Sequence, residues 1–224
     1  MIARLAFLAV LLCAVPATAQ EAEPRPAPTA EQIATARAEA DRIIAAASAG
    51  EFFENMTTSD TPLVRHRRSG MICVFNIEDP RDKIFFYPAT EGGPPHGDDV
   101  SCASWWGAIL VSTFATRYPQ QYTADQLFSA AISDIEGNWE KVKAFEESFR
   151  ISMIRGQEEP LIAAFSAERE GHPKTTLVVL RNIGEWSFKV RATGEPDDPE
   201  VTTTGTLAFG LAIPGGWEAY QAGQ

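Results

Sequence analysis

Apolar positions recur at helical spacing over 30–48, where Ile33, Ala36, Ala40, Ile43, Ile44 and Ala47 share one face until Gly50 ends the run. Thr29 with Gln32 supplies a capping box at its start. This stripe is alanine-rich and thin, so the helix should lie on the body of the fold, with Phe52, Phe53 and Met56 as a small anchor. From Gly70 the period becomes extended. Met71–Ile77 and Lys83–Tyr87 read as strands apolar on both faces, separated by the polar turn 78–82. The run 100–118 predicts one strand bent at Gly107, or two, with Trp105 and Trp106 turned into the core.

Thr123 and Gln126 repeat the capping box, and Leu127, Phe128, Ala131, Ile132 and Ile135 line one face of a second helix that ends at Gly137. The spacing of Trp139, Val142 and Phe145 extends helix to about 148, followed by a strand. Leu161–Arg169, Thr175–Asn182 and Glu185–Thr193 read as strands joined by tight turns. In the last of them Trp186, Phe188, Val190 and Ala192 alternate with polar residues. Asp198 before Pro199 starts a helix over 199–212. The order is strand, strand, strand, helix, twice over, after an N-terminal helix. That implies an α+β fold with mostly antiparallel sheet and helices packed on its faces.

The first nineteen residues set the compartment. Arg4, the apolar stretch Leu5–Val15, Pro16 and Ala17-Thr18-Ala19 have the form of a signal peptide cleaved before Gln20. Pro24, Pro26 and Pro28 make 20–29 an extended tether, which leaves 30–224 as one domain. Two lobes, 30–150 and 151–224, are the alternative division. No later segment is apolar for long enough to cross a bilayer, so the expectation is a periplasmic or secreted protein without a transmembrane segment in its mature chain. Arg4 is the only charge in the leader, so its removal takes the net charge from −11 to −12. That excess of acid argues against nucleic acid as a partner.

Cleavage also discards Cys13 and leaves Cys73 and Cys102, for which a disulfide is the simplest expectation in an oxidising compartment. The alternative, a redox pair or thiol nucleophile, lacks C-x-x-C spacing. His96, Asp98 and Asp99, in a loop rich in glycine and proline, combine imidazole and carboxylate. They are the candidate ligand- or metal-binding or acid–base loop over 94–102. Against that stands a solvated turn whose aspartates bond backbone amides. Arg65, Arg67 and Arg68 form the one basic cluster, a candidate anion site, or else internal partners for the carboxylates or a charged edge that deters strand pairing. Trp105, Trp106 and Trp139 would stack on a flat ligand if exposed.

The stretch Gly184-Glu185-Trp186-Ser187-Phe188-Lys189-Val190-Arg191-Ala192-Thr193-Gly194, followed by an acidic helix start, resembles the closing strand and helix of PsbP-like periplasmic and lumenal proteins. The resemblance covers roughly 30 residues and contains no catalytic motif, so it implies a fold and an accessory role rather than an activity. The chain carries no G-x-S-x-G, P-loop, G-x-G-x-x-G after a strand or H-E-x-x-H. Two functions are therefore expected. The first is a non-enzymatic accessory protein without a cofactor that binds a small ligand or an envelope protein. The alternative is a hydrolase or metal-dependent enzyme built on the 94–102 loop.

Overall fold

The computed structural model describes residues 26–145 and 152–223; the leader, the tether as far as residue 25 and the segment 146–151 lie outside the described residues. The elements in chain order are α1 (Ala30–Ala46), β1 (Phe53–Asn55), β2 (Leu63–His66), β3 (Ile72–Val74), β4 (Lys83–Phe86), β5 (Asp99–Trp106), β6 (Ile109–Thr116), α2 (Ala124–Asn138), β7 (Glu140–Ala144), β8 (Leu161–Arg169), β9 (His172–Ile183), β10 (Trp186–Gly194), α3 (Glu200–Ala212) and α4 (Gly216–Ala222). They form an α+β fold. A three-stranded sheet β1-β2-β3 and a seven-stranded sheet β4-β5-β6-β10-β9-β8-β7 are both antiparallel throughout their described pairs.

Alternation along the strands decides what covers each face. Val100 and Cys102 of β5, Val111 and Ala115 of β6, and Phe188, Val190 and Ala192 of β10 point into the main core, which the small sheet, α1 and α3 close. The opposite face is covered by α2 over β7, β8 and β9, where Ala131 and Ile135 meet Phe165 and Val178. Both predicted capping boxes form, Thr29 accepting the Gln32 amide and Thr123 the Gln126 amide. At α3 the Asp198 carboxylate accepts the Glu200 amide at 2.9 Å. The Cys73–Cys102 disulfide ties β3 of the small sheet to β5 of the large one, with the Cα atoms 6.1 Å apart.

Several expectations are corrected. The run 100–118 is two strands, with Gly107 at φ +65° in the turn between them. The helix expected to about 148 is a strand: α2 ends at Asn138, Trp139 caps it in an extended conformation, and Glu140–Ala144 pairs with β8. A register shift between Glu140 and Lys143 adds a residue there, so Trp139 and Val142 reach the same cluster although they are three apart. Their helical spacing is thus the spacing of a bulged strand.

Phe52 and Phe53 are core residues of the main cluster rather than a surface anchor. Arg65 and His66 of the basic stretch lie within β2. The strand β4 is not apolar-covered on both sides, since Lys83 and Phe85 face outward. Trp106 packs half-buried against the main core and Trp139 half-buried against the second cluster, whereas Trp105 lies under the Arg81 guanidinium, 4.4 Å from the ring centre.

Candidate functional site

The β5–β6 hairpin places the site. Its register pairs Trp106 with Ile109 and Asp99 with Thr116, so facing residue numbers sum to 215 and Asp98 faces Arg117 just beyond the paired ladder. The Arg117 amide donates to the Asp98 carbonyl at 2.7 Å. Alongside, β10 follows β6 in the sheet and brings the tight β9–β10 turn at Gly184, with Asn182 and Trp186 on either side of it. The connection from β6 to α2 supplies Tyr118 and Tyr122. Together these segments bound an open cleft of about 500 Å³ at one end of the large sheet.

Asp98 is fully buried, and both of its oxygens are taken. Oδ1 accepts Arg68 Nη1 at 2.9 Å, while Oδ2 accepts Arg117 Nε and Nη2 at 2.9 and 2.6 Å. Two half-exposed guanidinium groups thus offset the cost of burying one carboxylate. Each guanidinium also rests on a ring: Arg68 on Phe52 at 4.9 Å and Arg117 on Trp186 at 5.5 Å. The carboxylate accepts three N–H bonds and so holds both arginines in place. Nη1 of Arg117 stands 3.6 Å from the Glu185 carboxylate, a contact with a side chain that is 79% exposed and therefore weak.

Behind the cleft sits His66, with no exposed surface, between Phe53 and Trp186. Its Nδ1 meets Ser69 Oγ at 2.8 Å, whereas Nε2 has no hydrogen-bond partner. Burial pushes the imidazole down to about 4. The Gly97 backbone acts in the opposite sense without completing a hydrogen bond to Nε2, and Arg68 and Asp98 pull in opposing directions. A neutral, inaccessible imidazole is a core residue. It is not a general base for a ligand in the cleft.

The three residues expected to act together in the 94–102 loop have separate surroundings. His96 packs against Phe52 and Phe86, at 5.1 and 5.5 Å between ring centres. Asp98 joins the arginines. Asp99 lies across the sheet from it and accepts the Thr116 hydroxyl at 2.8 Å, its carboxyl pushed up by burial. Asp98 is therefore no solvated turn residue, and among the described residues no group of three or more His, Cys, Asp or Glu side chains could hold a metal ion. The basic cluster divides as well. Arg65 and Arg67 both bind Glu54 on the neighbouring strand, and only Arg68 reaches the cleft's buried acid.

Asn182, Tyr118, Tyr122 and Arg117 were missed from sequence. Arg117 was within reach, because a turn placed at Gly107 pairs it with Asp98 by counting. Asn182 Nδ2 donates to the Tyr122 carbonyl at 3.0 Å, which orients the amide and leaves its buried Oδ1 without a partner. No local pattern marks such a residue, since the connection it meets is 60 positions away.

No family model matches the chain, and no curated protein matches it. The resemblance of 184–212 to PsbP-like proteins gains no support from these comparisons. Among solved structures, the chain is similar to LpqN of Mycobacterium tuberculosis, whose crystal structure is described as that of a protein involved in cell envelope biogenesis. The match has a TM-score of 0.32 and 11% identity, and covers 63% of this chain and 85% of that one. Similarity at that level carries no argument about fold or activity. No described helix is long and apolar enough to cross a membrane.

Proposed function

We propose that the protein is exported with loss of residues 1–19 and serves the cell envelope as a non-enzymatic accessory protein that binds a ligand or an envelope partner. The observation that carries this reading is the cleft, roomy enough for a small ligand, whose one buried acid is paired with two arginines. The disulfide between the sheets supports an oxidising compartment.

The test is a thermal-shift screen of chemically diverse small molecules against the exported protein and a Tyr118→Ala/Tyr122→Ala variant. At least one chemical class should raise the melting temperature of the wild type more than that of the variant, and mass spectrometry should recover the ligand unchanged. The mature N-terminus should read Gln20. Turnover of the ligand that disappears in Asp98→Ala would instead establish an enzyme on the 94–102 loop, and a screen without any stabilising class would overturn small-ligand binding in the cleft.

A further inference from the structure

The chemistry of the cleft wall selects among ligand classes. Its charges cancel: Asp98 and Glu185 are balanced by Arg117 and by Arg68, which reaches Asp98 from behind the wall. An ionic ligand would therefore leave one charge uncompensated, which a partly enclosed site disfavours. What the wall offers is a mixture of donors and acceptors on planar groups. Asn182 lines the cleft and donates Nδ2 to the Tyr122 carbonyl at 3.0 Å, which fixes the tyrosine-bearing connection, while its Oδ1 is enclosed and faces no solvent. Arg117 Nη1 and Glu185 stand 3.6 Å apart, too far to bond each other well, so each retains capacity for a third group. A hydroxyl satisfies both sides, since it donates to a carboxylate and accepts from a guanidinium.

The aromatic content points the same way. Tyr118 and Tyr122 are 36% and 38% exposed and meet edge to face at 86°, with ring centres 5.3 Å apart. Two wet rings at right angles offer one face for stacking and one edge for a second contact, and tyrosine provides apolar area at low conformational cost. Apolar patches flanked by hydroxyls are the surface of a pyranose.

Resting on the binding role proposed above, we infer that the cleft takes an uncharged saccharide, with one sugar ring against Tyr118 and Tyr122 and hydroxyls shared between Arg117 Nη1 and Glu185. Tyr122 and Glu185 are specificity-determining residues, while Asp98 and Asn182 are positioning residues, the first aiming Arg117 and the second holding the Tyr122 carbonyl.

Calorimetric titration of the exported protein with neutral tetrasaccharides of glucose, xylose and N-acetylglucosamine, and with a tetramer of galacturonic acid, tests this. At least one neutral tetramer should bind saturably and more tightly than the uronate. Tyr122→Ala and Asn182→Ala should each weaken it by about tenfold, and Glu185→Gln by about threefold. Asn182 holds the Tyr122 carbonyl, so its variant can lose the connection; the exposed Glu185→Gln and Tyr122→Ala, with unchanged melting temperatures, keep the test decisive. Absence of binding by every neutral tetramer, tighter binding of the uronate, or wild-type affinity in both exposed variants overturns the inference. Should the broad screen find another class in the cleft while the sugars fail, only the saccharide assignment falls.

Discussion

At the scale of single residues, His66 ties the site to stability. Its folded-state titration near 4 lies below the 6.5 of a free imidazole, so folding selects the neutral form. The contribution is fully present above about pH 6.5 and is lost as the pH falls towards 4, by about 3 kcal/mol at 1.36 kcal/mol per unit. Buried Asp82 and half-buried Asp99, whose carboxyls desolvation pushes up, act in reverse and gain stability as they protonate. The effect is therefore read as a difference. Urea unfolding of the wild type and His66→Leu at about pH 7.5 and about pH 4.5 should show the smaller acid loss in the variant. An equal loss in both would mean that other groups carry it. None of this was visible in the sequence, where Arg65-His66-Arg67-Arg68 reads as a charged surface and β-strand alternation alone does not say that His66 faces the core.

At the scale of elements, α3 shows how packing overrides propensity. Its run of threonines and glycines is a poor helix, yet nine of its residues are buried against β10, β9 and β6. Gly205 explains part of this. A Cβ there would stand 2.4 Å from Leu177 Cδ2 and 2.8 Å from the Ala192 Cβ, and Leu177 is itself fully buried. Gly205→Ala should accordingly destabilise by about 1–2 kcal/mol in denaturant unfolding, overpacking exceeding the gain of about 1 kcal/mol in helix propensity. A neutral or stabilising result would show that α3 can lift from the sheet. The helices α1 and α2 were legible because their capping boxes and stripes are local signals. The strand β7 was misread because a bulge gives it a helical spacing, and β1, β2 and α4 are too short to establish a period.

At the scale of the molecule, two sheets are joined by one covalent bond that spans 29 residues of sequence. In the chain-entropy account a loop of that length contributes about 3.6 kcal/mol, so Cys73→Ala/Cys102→Ala should lower unfolding free energy by about 2–5 kcal/mol. If stability were unchanged, the sheets would be held by their shared core alone. The sequence by itself determined the α+β class, the two capped helices, the final three strands and the identity of the cysteine pair. Each of these rests on neighbours within a turn or a hairpin, or on Cys73 and Cys102 being the only thiols beyond residue 19. The cleft was decided only by tertiary structure. Asp98 could be named as a polar residue worth testing, but its burial, its two arginines, its distance from any work with His96 and Asp99, and its place beside Asn182 and Tyr122 depend on which strands lie side by side. Strand order brings together residues from the 94–102 loop, the β6–α2 connection and the β9–β10 turn, and no periodicity within one segment encodes that meeting.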